Sequence, residues 1–426
     1  MSVTFQKTLL AAIIESLLRA KSLVQSLLAY WGSYLGLETS TKTPVANTPR
    51  NSTQDFLKET EALFLDPVSH DGLQQLSHNL RKQLLGRLET DMKCMLLSDS
   101  HQLPRRTEVG RFVALDVGGS AFRVALVELC GRMSNIGDES RIVSMRNFHI
   151  TPEIKALEGM AFFDWMAERI LETLSTELEQ HDRSDGPLPM SMAWSFPIEQ
   201  TSLAGGNLQG MGKGFAACND LLDQDLGEIV RTACLNRDHD VELRAIVNDS
   251  SACLLSESYN DNTTRFSLIL GTGVNLAAYL PGLLEVVLAS LQKPYSFSTK
   301  KLSIIERRSS ALVSAGVHAF WNLRIDSQNT FVSTLSRGPS ERDSAEADRD
   351  LAETTVAYNG GVIESYPGYL DSCQEYLNGL VATHKEKKSG NRTIKLVSAK
   401  ESSLMGAAVA LASLEEVVEG PLGVVG

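Results

Sequence analysis

LDVGGSAFRVALVEL, residues 115–129, is the stretch whose pattern decides the fold. With RFVALDV leading into it, apolar residues alternate on both sides of a Gly-Gly pair. That is the period-2 signature of two antiparallel strands folded at Gly118–Gly119. Glycines at such a tip leave backbone N–H groups uncovered, so the turn can face a phosphate, and Ser120 adds a hydroxyl donor. LILGTGVNLAAY at 268–279 repeats the arrangement around Gly271, Thr272 and Gly273. Between the two turns lie WSFP at 194–197, GKGF at 212–215 and AIVNDSSACLL at 245–255. A lone Gly-Gly pair is usually just a turn, and a lone Asn-Asp pair is usually a turn or a helix cap. Two phosphate-type turns in this order, with Asp249 between them as a candidate base, point to phosphoryl transfer from ATP to a hydroxyl.

The surrounding sequence fits a large soluble α/β protein. The 426 residues can bury a sizeable core in two lobes. A net charge of −12 and the lack of a strong basic block speak against nucleic acid as a partner; KEKKSG at 385–390 reads as a solvated loop. The six cysteines form no CxxC pair, so buried reduced thiols are expected. The histidines form no HxxxH or HExxH pattern, so no protein-held transition metal is expected. Residues 55–98 and FFDWMAERILETLSTELEQ at 162–180 carry helical spacing; MSMAWSF, LRAIV and FSLIL read as short buried strands. A strand hairpin followed by helices occurs early and again after residue 243, which suggests two related lobes.

Residues 5–36 pair apolar residues at helical spacing, as in Leu9/Leu10, Ile13/Ile14 and Leu17/Leu18. Glu15, Arg19 and Lys21 interrupt a run that would need about 20 apolar residues to span a membrane. Two readings stay open: an amphipathic helix against a partner or membrane surface, and an organelle-targeting helix. ETSTKTPVANTPRNSTQ at 38–54 reads as a linker, so the globular part begins near Asp55.

Together these segments resemble the hexokinase family. The departures and the long N-terminal extension look more like the atypical hexokinases of filamentous fungi. The resemblance implies the two-lobed ATPase fold shared with actin and Hsp70, with ribonuclease H-like lobes and here a shortened C-terminal lobe. It divides the chain into an extension at 1–55 and hexokinase regions at 56–258 and 259–426. It implies ATP with Mg²⁺ as cofactor, held by Asp116, Gly118, Gly119, Ser120, Arg123, Gly271, Thr272, Gly273, Gly360 and Gly361, with Asp116 on the metal directly or through water. It implies a hexose (glucose, fructose, mannose or N-acetylglucosamine) held by Ser195, Phe196, Lys213, Asn248, Asp249 and Asn275, with Asp249 as catalytic base and Lys213 beside it. The expected location is cytoplasmic, with mitochondrial association as a further expectation, and residues 1–36 are the candidate contact to a membrane surface or a protein.

Several positions depart from the family pattern. Ala121 stands where the family has asparagine, Met211 where it has tryptophan, and Gly212 where it has threonine. The family's sugar-binding glutamate segment after the second turn is largely missing. Residues 280–308 lead from Tyr279 almost directly into the RRSSALVSAG helix at 307–316, and neither Glu285 nor Glu306 has a matching motif. Two lost charge-assisted hydrogen bonds would cost about 3–6 kcal/mol, roughly 10²–10⁴ in sugar affinity. The alternative implied is a non-catalytic, hexokinase-like regulator that binds sugar or nucleotide.

Overall fold

The computed structural model describes residues 53–90, 103–131, 139–174, 186–271, 273–280, 302–334, 351–384 and 392–418. The helix expected over 5–36, most of the linker, Cys94, Thr272 and Glu285 lie outside the described residues. The elements begin with α1 (Thr53–Leu65), a 3₁₀ turn (Asp66–Val68), α2 (His70–Thr90), β1 (Val109–Val117), β2 (Ala121–Cys130) and β3 (Ser140–His149). They continue with α3 (Pro152–Lys155), α4 (Met160–Thr173), β4 (Leu188–Trp194), β5 (Ile198–Gln200), β6 (Gly206–Leu208), α5 (Leu226–Leu235) and β7 (Val241–Val247). Then come α6 (Asp249–Asn260), β8 (Thr264–Leu270), β9 (Val274–Ala278), α7 (Leu302–Thr334), β10 (Glu353–Asn359), α8 (Gly361–Ser365), α9 (Tyr369–His384), β11 (Thr393–Ser398) and α10 (Ser402–Val418). Among the described residues no helix is long and apolar enough to cross a membrane.

Two sheets organise residues 60–426. The first runs β3-β2-β1-β4-β7 and the second β11-β10-β8-β9. In the first, β1 pairs antiparallel with β2 and parallel with β4, and β4 pairs parallel with β7. In the second, β8 pairs antiparallel with β9 and parallel with β10, and β10 pairs parallel with β11. The two sheets therefore repeat one topology, as the recurring hairpin suggested. The difference is at one edge: nothing among the described residues of the second sheet corresponds to β3.

Side-chain parity sorts the faces of the first sheet. Val113, Leu115 and Val117 point with Phe122, Val124, Met190 and Met192 into a large core covered by α4 and α5. Ala114, Ala125, Ala193 and Ala245 point the other way, against α10. Alanines there let α10 come close, and α10 in turn packs on α6, which also touches β8, β9 and β10. The two helices thus lie between the sheets. Their crossing is tight at Gly406, where a Cβ would stand 1.8 Å from the Ala252 carbonyl oxygen. The second sheet's other face packs Phe266, Leu268 and Val356 against α7 and α9 through Phe320, Leu323, Leu377 and Val381.

The five described cysteines are free thiols. Burial pushes those of Cys234, Cys253 and Cys373 up to about 12, so they are unreactive packing residues, as expected from their apolar surroundings.

Candidate active site

Asp249 opens α6, directly after the buried strand β7. Asn248 caps that helix: its Oδ1 accepts from Ser250 N at 3.1 Å and Ser250 Oγ at 2.7 Å. The ordinary structural use of an Asn-Asp pair is therefore real here, and it fixes the carboxylate that follows. Asp249 Oδ1 accepts from Ser250 N at 2.7 Å and from Asn275 Nδ2 at 2.9 Å. Asn275 is buried in β9, just beyond the second glycine turn. Burial raises the Asp249 carboxyl above its ordinary value, against the pull of Asn275, the Ser250 N–H, the Lys213 ammonium and the Ser195 hydroxyl.

Lys213, on a separate loop, is near enough for its charge to act on this carboxylate. Its Nζ lies 3.3 Å from the Ser195 carbonyl oxygen and 5.0 Å above the Phe196 ring. The loop backbone is unusual: Gly212, Lys213 and Gly214 have φ of +64°, +51° and +83°. Holding Lys213 there costs about 1–2 kcal/mol. Gly212 is thus more than a lost hydroxyl. A β-branched threonine would be strained at +64°, although a Cβ would meet nothing within 4 Å. Gly119 serves a matching need, since a Cβ there would stand 3.1 Å from Lys213 Cδ. The first glycine turn is bare where the lysine stem passes.

Parity also explains Asp116. It shares the alanine face of β1 and is paired in register with Arg123 of β2. Arg123 bonds both Asp116 and Glu401, the residue just before α10. Burial raises the Asp116 carboxyl, Arg123 opposes this, and the charges of Asp249 and Glu401 add to the rise. Two carboxylates that feel each other across a buried site form an anionic pair that suits a divalent cation carried with a phosphate chain. Glu401 was not found from sequence, because no local motif marks it. Its relation to Arg123 arises only when α10 docks.

On the second side, Gly271 N donates to Gly273 O at 3.1 Å, closing the turn. Gly360, with φ +127°, lies against the end of β8; a Cβ would stand 2.4 Å from Leu270 O. Asn359 Nδ2 donates to Ala399 O at 2.7 Å. The Gly360–Gly361 segment and the second turn therefore adjoin. Ser120 is exposed at the first turn, where its carbonyl accepts from Ile150 N at 2.9 Å. Glu306 lies elsewhere, lining a cavity of about 520 Å³ with Val68, Leu73, Ser372 and Tyr376. None of the expected site residues lines that cavity.

Two family models, both described as hexokinase, match residues 58–259 and 226–413. A rice relative, Hexokinase-5 of Oryza sativa subsp. japonica, is 33% identical over 189 residues, 44% of this chain and 36% of its own. Hexokinase-1 of Rattus norvegicus is 32% identical over 230 residues, 53% of this chain and 24% of its own. The match thus spans about a third or less of these relatives' length. Two solved structures share the fold. A Schistosoma mansoni hexokinase complexed with glucose aligns with a TM-score of 0.57 at 19% identity, covering 85% of this chain and 100% of that one. Another hexokinase aligns with a TM-score of 0.59 at 18% identity, covering 84% and 99%. These neighbours carry the two-lobed fold expected for the actin and Hsp70 type of ATPase. With both halves of the family pattern present in order, on that fold, the chain belongs to the hexokinase family.

Proposed function

We propose that this protein transfers the γ-phosphoryl group of ATP to a hydroxyl of a hexose, with Asp249 as general base. The observation that carries this reading is the placement of Asp249. The Asn275 amide of β9 and the Ser250 N–H in the first turn of α6 hold one carboxylate oxygen, and the charge of Lys213 acts on the same group. A carboxylate so oriented, with its proton affinity raised by burial, can accept the proton of an attacking hydroxyl. Lys213 offsets the charge that gathers as the phosphoryl group arrives, and Ser195, Phe196 and Asn275 line the acceptor side. The glycine turns at 118–119 and 271–273 face the phosphates. Asp116 would hold the Mg²⁺ that comes with the nucleotide; when bound, that ion neutralises phosphate charge.

The division at 56–258 and 259–426 follows the two halves of this site, although the boundary falls inside α6. By sequence pattern, residues 1–36 supply contact with a protein or membrane surface, mitochondria included, on a cytoplasmic chain.

The test compares wild type and Asp249→Asn with Mg·ATP and glucose, fructose, mannose and N-acetylglucosamine. The substitution should lower kcat by about 10²–10⁴. The wild-type kcat/KM should fall on acidification with an apparent pKa above 3.8, the direction in which burial moves this carboxyl. Equal turnover by Asp249→Asn would remove Asp249 as the base. A wild type that binds a hexose yet turns over none would support a sugar-binding regulator, the reading favoured by the missing glutamate segment and by Gly212.

A further inference from the structure

Lys155 ends α3, a single turn capped by Thr151 and started by Pro152. No motif marks it, and it lies in a different segment from every residue placed in the site so far. Yet it touches the GKGF loop three times. Its carbonyl accepts from Ala216 N at 2.8 Å. Its ammonium donates to the carbonyl of Lys213 at 3.3 Å. The same ammonium lies 5.1 Å above the Phe215 ring.

Those contacts fall on a backbone that resists its own conformation. Lys213 is the one non-glycine of three successive left-handed residues, and its carbonyl is the group that Lys155 binds. Within the loop, Phe215 N donates to Gly212 O at 3.0 Å, and Met211 N donates to Cys218 Sγ at 3.1 Å. Neither bond engages the Lys213 carbonyl. The aromatic rings extend the connection. Phe215 meets Phe196 edge-on at 5.0 Å, and Phe196 carries the Lys213 ammonium on its face. Lys155, Phe215, Phe196 and Lys213 thus form a continuous stack with a cation at each end.

We infer that Lys155 is a positioning residue for phosphoryl transfer: it clamps the left-handed Lys213 peptide so that the Lys213 ammonium stays beside Ser195 and Asp249. This inference rests on the proposed transferase reading for its kinetic consequence but not for its structural one. Loss of the clamp should free the loop while leaving α3, both glycine turns and the nucleotide side intact. The acceptor hexose, which meets Lys213, should be affected; Mg·ATP should not.

Two measurements on the full chain separate the possibilities. The first is hydrogen exchange of peptides covering residues 209–218 in wild type, Lys155→Met and Lys155→Arg, without ligand. Exchange in this segment should quicken three- to tenfold in Lys155→Met and return towards wild type in Lys155→Arg, with the global melting temperature unchanged. The second is steady-state kinetics. Lys155→Met should lose three- to tenfold in kcat/KM for the hexose with an unchanged KM for Mg·ATP, and Lys155→Arg should recover most of it. Unchanged exchange over 209–218 in Lys155→Met overturns the inference whatever the kinetics show. Quickened exchange with no effect on hexose kcat/KM in an active enzyme overturns the positioning role. An inactive wild type would count against the transferase reading alone, because the exchange arm still decides whether Lys155 holds the loop.

Discussion

Replacing Gly406 by alanine should destabilise the protein, against the usual benefit of alanine in a helix. The added Cβ would fall 1.8 Å from Ala252 O, 2.4 Å from Ala252 C and 2.6 Å from Ala252 Cα. All three are backbone atoms in the first turn of α6, so no side-chain rotation relieves the clash. Restoring contact at about 3.5 Å requires α6 and α10 to separate by about 1.7 Å. A gap of even 0.5–1 Å forfeits roughly a quarter to a half of each dispersion contact. With about 40 atom pairs at 0.1–0.2 kcal/mol each, half the attraction across the crossing amounts to about 2–4 kcal/mol. Better helix propensity returns about 1 kcal/mol, leaving a net loss of about 1–3 kcal/mol. Gly316→Ala in α7 is the control, because a Cβ there meets nothing within 4 Å; it should gain about 0.5–1 kcal/mol. Urea unfolding followed by circular dichroism measures both. A Gly406→Ala midpoint equal to or above wild type would refute the reasoning, since it would mean the crossing has room that the structure denies it.

Two further outcomes are expected. Burial, with Asp261 and Glu139 nearby, pushes the Glu257 carboxyl from 4.5 up to about 7. A raised folded-state value means that the stabilisation from the protonated form is complete below pH 4.5 and is lost as pH rises through about 7. Glu257→Gln, which keeps the neutral shape, should therefore be more stable than wild type at pH 8 by about 1–3 kcal/mol, allowing for partial exposure. The difference should vanish by pH 4.5, and thermal melts showing a pH-independent gap would contradict the assignment. Mg·ATP should raise the melting temperature of wild type, by the equivalent of about 2.7 kcal/mol at a hundredfold excess over Kd. Asp116→Asn should weaken that response, and a wild type indifferent to millimolar Mg·ATP would remove the phosphate role of the glycine turns.

What could be read from the sequence was whatever depends on neighbours in the chain. The β1–β2 hairpin and the buried strands β4, β7 and β8 followed from period and glycine placement, and Asp249 followed from its position after a buried strand. Features that depend on segments far apart in the chain were not legible. Glu401 and Arg123 are brought together only by docking of α10, and Lys155 meets Lys213 across a turn of helix with no motif of its own. Gly406 carries no local signal, because its reason is a backbone 154 positions earlier, at Ala252. Gly212 is legible in the sequence only as a departure from the family's threonine; its positive φ shows that it also sets the backbone of the loop.

The bond from Asn275 to Asp249 has an implication for how this family can change. The amide that orients this carboxylate belongs to β9, the strand that leaves the second glycine turn, and β9 ends at Ala278. The hydrogen bonds that hold this carboxylate therefore come from residues encoded before Tyr279. Changes in the chain after Tyr279 would leave the bonds from Ser250 and Asn275 to Asp249 in place. The hold on this carboxylate and the sequence that follows Tyr279 can in this way vary separately.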